Sequence, residues 1–326
     1  MTRHAAAIPT SRTREKAHVA IDAAKCDGCG KCIEVCKDFG FELVEELVPS
    51  AVPGEAPTTT QKVRLKEKSF VGCIACGHCM AVCPQMAITI DGRTLSPDDL
   101  FRLPTIRNKA NYEQFLTLLQ RRRSIREFTD KTVAPETIEK ILEAATTSPM
   151  GIPPSDVNVL VFDSKEKNRK FAEDYCNHLK SKRWLVSPWF LALMRPFWGK
   201  ITDELFRDFV RPLFDIYIDE MEKGVNVVTY DAPLMMYFYG SPYADPADPI
   251  IAATTAMYAA ESLGLGTCML GAIHPLIQYG SDAKKFREKH RIRCKSQEGI
   301  FVIFGYPSVK YRKGLKRTFA SVTYSE

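Results

Sequence analysis

The chain of 326 residues, 45% of them hydrophobic, is long enough for two domains that each have their own core. Its net charge is +6 and its pI is near 8.7. Because the basic residues form local clusters, this composition does not favour nucleic acid as a partner. No apolar stretch reaches the ~20 residues that a membrane-spanning helix needs, and no apolar signal run opens the chain. We therefore expect a cytoplasmic protein whose thiols stay reduced.

Residues 1–17 are expected to form a flexible tail, and two cysteine runs follow it: CDGCGKCIEVCK at 26–37 and CIACGHCMAVCP at 73–84. They hold eight of the 11 cysteines, and each has gaps of two, two and three residues. A disulfide framework belongs to small domains in oxidising compartments, and a structural zinc site takes its ligands as two separated pairs. The spacing favours iron-sulfur clusters, with zinc as the alternative.

The segment 18–95 resembles a bacterial ferredoxin domain with two [4Fe-4S] clusters. In that arrangement the fourth cysteine of each run serves the cluster of the other run. The resemblance therefore implies two ligand sets: Cys26, Cys29, Cys32 and Cys83 for the first cluster, and Cys73, Cys76, Cys79 and Cys36 for the second. An insert at about 40–65 is longer than compact ferredoxins carry. We expect a hairpin with a disordered tip, which would be a solvated decoration of the domain.

The rest of the chain is expected to form a second domain. A linker at 96–111 leads into a helix with an apolar stripe at 115–119, and Pro135 opens a further helix. Between these helices lies the run RRRSIREF at 121–128. Such a basic run is usually a solvated helix end, but its four arginines and its serine also form a dense set of phosphate donors.

The sequence RRSIREFTDKTV at 122–133 resembles the opening of the nitroreductase family of flavoproteins, in which this run binds the phosphate and ribityl chain of FMN. Two further motifs carry the resemblance, DPIIAATTAMYAAESLGLGTCMLGAI at 248–273 and GIFVIFGYPSVKYRKGLKRTF at 299–319. The first of them predicts a helix that is capped by Asp248, buried as far as Leu263 and ended by Gly264. The resemblance implies an FMN domain over 112–326, with an α+β fold whose mixed sheet is flanked by helices.

The resemblance also implies which residues contact FMN. The basic run would bind the phosphate and ribityl chain, two loops would lie beside the flavin ring, and a basic residue near the C-terminus would close on the phosphate. These positions are Arg122, Arg123, Ser124 and Arg126 in the run, Met150, Gly151, Leu270 and Gly271 in the loops, and Arg317, Lys316 or Arg312 near the C-terminus. No catalytic side chain is assigned. The polar candidates are Tyr175, His178, Tyr230 and Tyr239.

A helical insert at about 172–226 contains all three tryptophans of the chain, within RWLVSPWFLALMRPFW at 183–198. This stretch is too short to span a bilayer, and both of its faces are apolar, which suits burial. We interpret it as a helix that caps the active site or extends a dimer interface. A membrane-surface helix is the less favoured alternative.

Together, the two resemblances predict a homodimeric FMN oxidoreductase that carries its own electron-transfer domain. A low-potential donor, ferredoxin or flavodoxin in preference to NAD(P)H, would pass single electrons through two [4Fe-4S] clusters to FMN. The flavin would then reduce a small nitro, quinone-like or activated unsaturated substrate. Two alternatives stay open. One is a flavoenzyme of the same fold that catalyses dehydrogenation, dehalogenation or flavin fragmentation, and the other is an electron-transfer adaptor without an organic substrate.

Overall fold

The computed structural model describes residues 17–36, 40–48, 54, 56–66, 73–93, 95–151 and 156–325. The predicted tail therefore lies outside the described residues, except for Ala17. The chain divides into two units, with the boundary between Lys109 and Ala110. Residues 150–156 and 243–245 are grouped with the first unit. Within the described part of the chain, no helix is long and apolar enough to cross a membrane.

The first unit is built from two strand pairs and two short helices. Strand β1 (His18–Ile21) pairs antiparallel with β4 (Ile88–Asp91). Between them in the chain lie α1 (Lys31–Cys36), the hairpin of β2 (Phe41–Val48) and β3 (Thr58–Leu65), and α2 (His78–Val82). Each helix begins inside a cysteine run, so the regular structure of this unit frames the two cysteine loops.

The hairpin confirms the predicted strand pairing of the insert, but the prediction of a solvated decoration is wrong. Phe41 and Val63 are buried in the same core cluster as Cys32 and Cys79. A Cβ on Gly28 would overlap the carbonyl oxygen of Gln61, and Gly28 has a φ of +74°, so only glycine is compatible with this approach. The hairpin is therefore part of the packed unit. Its predicted disordered tip, at 49–53 and 55, lies outside the described residues.

The second unit is organised around a four-stranded sheet in the order β5-β6-β8-β7. The strands are β5 (Val157–Phe162), β6 (Leu234–Gly240), β7 (Gly266–Leu270) and β8 (Gly299–Gly305), and all three ladders are antiparallel. A single parallel bridge between Ser124 and Thr267 gives the sheet its mixed character. Strands β6 and β8 are buried along their whole length, because helices cover both faces of the sheet.

Alternate residues of the central strands pack into two separate hydrophobic cores, one on each face of the sheet. Met235, Tyr237 and Phe301 belong to one core and Met236 and Val302 to the other, as the period of two in a strand requires. Eight helices accompany this sheet in the described chain: α3 (Tyr112–Arg121), α4 (Pro135–Thr146), α5 (Lys165–Ser181), α6 (Pro188–Leu205), α7 (Arg211–Glu222), α8 (Asp248–Ser262), α9 (Ile273–Leu276) and α10 (Ser281–Lys289). The fold is α+β, as the sequence predicts.

Helix α8 packs on the sheet mainly through small residues, with Met257 as the buried large side chain that the sequence pattern predicts. Its buried positions include Ala253, Ala256 and Ala260, and alanine lets the helix backbone approach the strands closely. Two details of the prediction are wrong: Ala247, not Asp248, is the N-cap, and Leu263 is exposed beyond the helix. Gly264, with a φ of +80°, ends the helix as predicted.

The insert forms three helices, α5 to α7, and both α5 and α7 contribute buried residues to the core. Helix α6 is interrupted at Gly199, whose φ of 71° and ψ of 170° lie outside the helical region. On α6 four large apolar side chains spaced four residues apart are exposed: Trp189, Leu193, Phe197 and Ile201. The expectation that both faces of this segment are buried is therefore not met within one chain, because only one face packs against its neighbours.

Candidate functional site

The first group of cysteines lines a single cavity. Cys26, Cys29, Cys32 and Cys83 all border it, together with Val63 and Ile88. Cys83 is the residue that follows α2, and it is extended, with φ −73° and ψ 112°. Pro84 favours this conformation for the residue before it. The fold thus brings the last cysteine of the second run to the first three of the first run.

The second group joins Cys36 to the first three cysteines of the second run. Burial raises the pKa of the Cys79 thiol to about 12, and the nearby Cys36, Cys73 and Cys76 thiols act in the same direction. The pKa of Cys36 is raised first by burial and then by Cys76 and Cys73. These effects place the four thiols within electrostatic range of one another. Burial disfavours free thiolates, so such a set fits a positively charged metal core that holds its ligands deprotonated.

The backbone around both groups offers N–H donors to sulfur. Ala75 N donates to Cys73 Sγ at 3.4 Å, and Ala87 N donates to Cys83 Sγ at 3.3 Å. Hydrogen bonds to the sulfurs are a general feature of iron-sulfur sites. Among the described residues, no three His, Cys, Asp or Glu side chains converge on a single ion position. The cysteines of the first group stand instead around an open space.

The basic run forms one wall of a groove in the second unit. Arg122, Ser124 and Arg126 line it, and the groove is open to solvent. The segment is extended here, because Ile125 N donates to Thr267 O at 2.9 Å and Ser124 bridges to strand β7. Alternate residues of an extended segment point the same way, so three donors face the groove while Ile125 is buried on the other side.

Arg123, the fourth predicted member of this run, points elsewhere. Its guanidinium donates to Arg122 O at 2.7 Å and lies against Gly314 of the C-terminal segment. The three C-terminal candidates, Arg312, Lys316 and Arg317, are exposed, and none of them borders the groove. Within this unit, the basic run also meets the C-terminal segment through its backbone, because Ser308 N donates to Glu127 O at 3.1 Å and Phe128 bridges to Pro307.

None of the four loop residues predicted to lie beside the flavin ring is among the described residues that line the groove. Leu270 is buried at the end of β7, Gly271 follows it, and the groove is bordered by Met269 instead. Met150 and Gly151 belong to the first unit and are not among the residues that line the groove. Residues 152–155 of that loop lie outside the described chain.

Sequence reasoning missed the opposite wall of the groove. It consists of Thr254, Met257 and Tyr258 from α8 and of Cys268 and Met269 from β7. The three α8 residues have the spacing of one helix face, which was the available signal. Burial raises the pKa of Cys268, while the charges and hydrogen bonds of Arg126 and Ser124 act in the opposite direction. Cys268 is buried as expected, yet it is also part of the groove.

Tyr230 is the one polar candidate that lies beside the basic run. The Arg126 guanidinium carbon stands 5.7 Å from the centroid of its ring, which is cation–π distance. Tyr230 and Asp231 both have positive φ, 54° and 46°, a strained conformation that surrounding contacts must hold. Asn226 and Arg169 each donate to the Asp231 carboxylate at 2.8 Å. The other candidates, Tyr175, His178 and Tyr239, are buried.

Two family models match the chain. The nitroreductase family matches residues 119–306, and a 4Fe-4S dicluster domain matches residues 25–88. An FMN reductase [NAD(P)H] of Bacillus subtilis strain 168 is 33% identical over 153 residues, which are 46% of this chain and 51% of the relative. The chain thus spans about half the length of that relative.

Solved structures give the same family name at low sequence identity. A nitroreductase with bound FMN from Desulfitobacterium hafniense DCB-2 is 22% identical, with a TM-score of 0.46 over 65% of this chain and 97% of that chain. A nitroreductase with bound FMN from Bacteroides fragilis NCTC 9343 is 17% identical, with a TM-score of 0.47 over 67% of this chain and 100% of that chain. Since its family model matches more than half of the chain, the protein belongs to the nitroreductase family, as its sequence motifs predict, with a 4Fe-4S dicluster match ahead of that domain.

Proposed function

We propose that the protein is an FMN-dependent oxidoreductase that takes its electrons through two [4Fe-4S] clusters. The observation that carries this proposal is the groove in which Arg122, Ser124 and Arg126 face the same space. Two guanidinium groups and a hydroxyl on one wall suit a phosphate monoester. The thioether and phenol side chains of Met257, Met269 and Tyr258 suit the less polar part of a flavin.

The groove residues would hold and orient the cofactor. Arg122 and Arg126 would bind the FMN phosphate, and Ser124 would donate to a phosphate or ribityl oxygen. The cation–π contact with Tyr230 would keep the Arg126 guanidinium pointed at the groove. When bound, FMN exchanges electrons singly or in pairs, which couples one-electron donors to two-electron reduction of an organic substrate. A small nitro, quinone-like or activated unsaturated compound is the proposed substrate class.

The two cysteine sets would hold the clusters. Cys26, Cys29, Cys32 and Cys83 would ligate one cluster, and Cys36, Cys73, Cys76 and Cys79 the other. The shared cavity of the first set and the mutual pKa effects within the second support this assignment. Because such clusters require reduced cysteines, the cytoplasm is the proposed compartment. A low-potential one-electron carrier, ferredoxin or flavodoxin, is the proposed donor.

A second candidate function differs only in the donor. The Bacillus subtilis relative is named an FMN reductase that uses NAD(P)H. By analogy, NADH or NADPH could reduce the flavin of this chain directly. The cysteine sets favour the one-electron donor, since a nicotinamide that delivers hydride to the flavin has no need of iron.

Cofactor analysis tests the proposal directly. Protein purified without oxygen is expected to contain eight iron atoms, eight acid-labile sulfides and one FMN per chain, because two complete ligand sets and one groove are present. Replacing Arg126 with alanine should leave the iron content unchanged and lower FMN affinity by about tenfold or more, since hydrogen bonds to charged groups contribute about 1.5–3 kcal/mol. Zinc without labile sulfide would contradict the cluster proposal, and an unchanged dissociation constant for FMN in R126A would contradict the groove assignment.

We further propose that the protein is a homodimer. Tyr112 and Phe115 of α3 are exposed, and Leu315, Phe319 and Tyr324 expose most of their surface along the C-terminal segment. Exposed aromatic side chains are enriched at protein interfaces. Light scattering is expected to give twice the 36.7 kDa mass of one chain. A monomer that retains its FMN would contradict this proposal.

A further inference from the structure

The hairpin of β2 and β3 is built into the site of the first cysteine set. Val63 of β3 borders the same cavity as Cys26, Cys29, Cys32 and Cys83. Gln61 of the same strand packs its carbonyl against Gly28, between the first two cysteines. Strand β3 therefore covers one side of the cavity. A charge near a partly buried site acts more strongly than one in bulk water.

Strand β3 also places a positive charge beside the loop of the first two cysteines, although Lys62 is not among the described residues that line the cavity. Lys62, between Gln61 and Val63, donates from its ammonium group to Cys26 O at 2.6 Å and to Ala23 O at 2.9 Å. These two hydrogen bonds fix the position of the Nζ atom beside the backbone of Cys26, a proposed ligand residue, and of Ala23. Lys62 is half-buried, so solvent screens its charge less than it would screen a surface lysine.

Other charged groups lie near Lys62. Lys31 and Asp27 line the cavity, and the Asp27 carboxylate accepts hydrogen bonds from Gln85 Nε2 and Cys29 N at 3.1 Å each. Lys25 forms an ion pair with Asp22 at 3.1 Å, and Arg64 forms one with Glu46 at 2.9 Å. Within the described part of the chain, the Lys62 ammonium bonds to two carbonyls and makes no ion pair with a carboxylate. Its full positive charge therefore stays directed at the loop that carries Cys26 and Cys29.

We propose that Lys62 is a positioning and tuning residue that raises the reduction potential of the cluster held by Cys26, Cys29, Cys32 and Cys83. The inference rests on the ligand sets of the proposed function. Reduction adds one electron, and hence one negative charge, without forming or breaking a bond. A fixed ammonium beside the site stabilises the added charge, and net charge is one of the factors that set such potentials.

Potentiometric titration with dithionite, followed by electron paramagnetic resonance on the intact, anaerobically prepared protein, tests the inference. Lys62→Gln removes the charge but keeps an N–H donor, and Lys62→Met removes both. In each, the reduction equilibrium of the first cluster is expected to become less favourable by about tenfold, which is 59 mV for one electron. Lys62→Arg should stay close to the wild type. The signal belongs to the first set if Cys29→Ala abolishes it.

Arg64→Met is the matched control, because Arg64 lies on the same strand but is exposed and paired with Glu46. It should leave both potentials unchanged. Unchanged potentials in both neutral Lys62 variants would overturn the inference, as would an equal shift of both clusters or a shift in Lys62→Met alone. Loss of the first cluster in both neutral variants would assign Lys62 to assembly rather than to tuning, and would also overturn it. Iron and sulfide analysis of the wild type separates these results from failure of the ligand sets.

Discussion

Replacing Cys83 with alanine is expected to remove the cluster of the first cysteine run and to leave the cluster of the second run in place. Cys83 lies in the second run, but it borders the cavity of Cys26, Cys29 and Cys32. Loss of one of four ligands opens the site to solvent and to oxidation. Iron content should fall from eight atoms towards four per chain, with labile sulfide in proportion, because a [4Fe-4S] cluster takes four cysteine ligands.

The converse variant serves as the control. Cys36 belongs to the first run, but Cys36→Ala should remove the cluster of Cys73, Cys76 and Cys79. The reason is that Cys36 raises the pKa of Cys79, while Cys73 and Cys76 raise the pKa of Cys36. Both variants should keep the FMN groove, whose residues belong to the other unit. If electron paramagnetic resonance of C83A shows that the surviving cluster depends on the first run, the proposed ligand sets are wrong.

The features that sequence predicted well are those that chemistry fixes over a few residues. The gaps within each cysteine run are set by the geometry of the object they hold. In the same way, Arg122, Ser124 and Arg126 are spaced by two, and an extended segment turns such residues to one side. The helix end at Gly264 follows from the left-handed conformation that glycine adopts without strain. Each of these signals is local, so it can be recognised in the sequence without knowledge of the tertiary structure.

The features that sequence missed depend on contacts between distant segments. The positive φ of Tyr230 depends partly on a distant contact, because Arg169, 62 residues before Asp231, holds the turn together with the nearby Asn226. The wall at Cys268 and Met269 faces the groove only because β7 pairs with β8 and bridges to Ser124.

The hairpin is a similar case. Its polar strand residues suggested solvation, but its role depends on where Gln61, Lys62 and Val63 meet a loop more than thirty residues away. Its alternation of charged and apolar residues is compatible with either outcome, since a half-buried strand shows the same period.

A one-electron carrier is expected to reduce the intact protein much faster than NADH or NADPH does. Clusters held by the two proposed cysteine sets would accept electrons singly. Hydride transfer instead requires the nicotinamide to stack on the flavin, in the space that the substrate would use. We expect reduced ferredoxin or flavodoxin to be faster by about tenfold or more, which corresponds to ~1.4 kcal/mol of activation free energy. Anaerobic stopped-flow absorbance of the flavin measures both rates.

The decisive comparison uses the full chain without its clusters. In the double variant Cys29→Ala, Cys76→Ala, each cysteine set lacks one ligand, while the residues that line the groove are unchanged. Reduction by the one-electron carrier should then become slow, whereas reduction by NADPH should keep its intact rate, because it would not use the cysteine sets. Direct chemical reduction of the flavin by dithionite provides the control that the groove still binds FMN. The contrary result is that NADPH reduces the flavin of both the intact and the double-variant protein as fast as the carrier reduces the intact protein. That result would mean that electrons do not enter through the cysteine-held clusters and that NAD(P)H reduces the bound flavin directly.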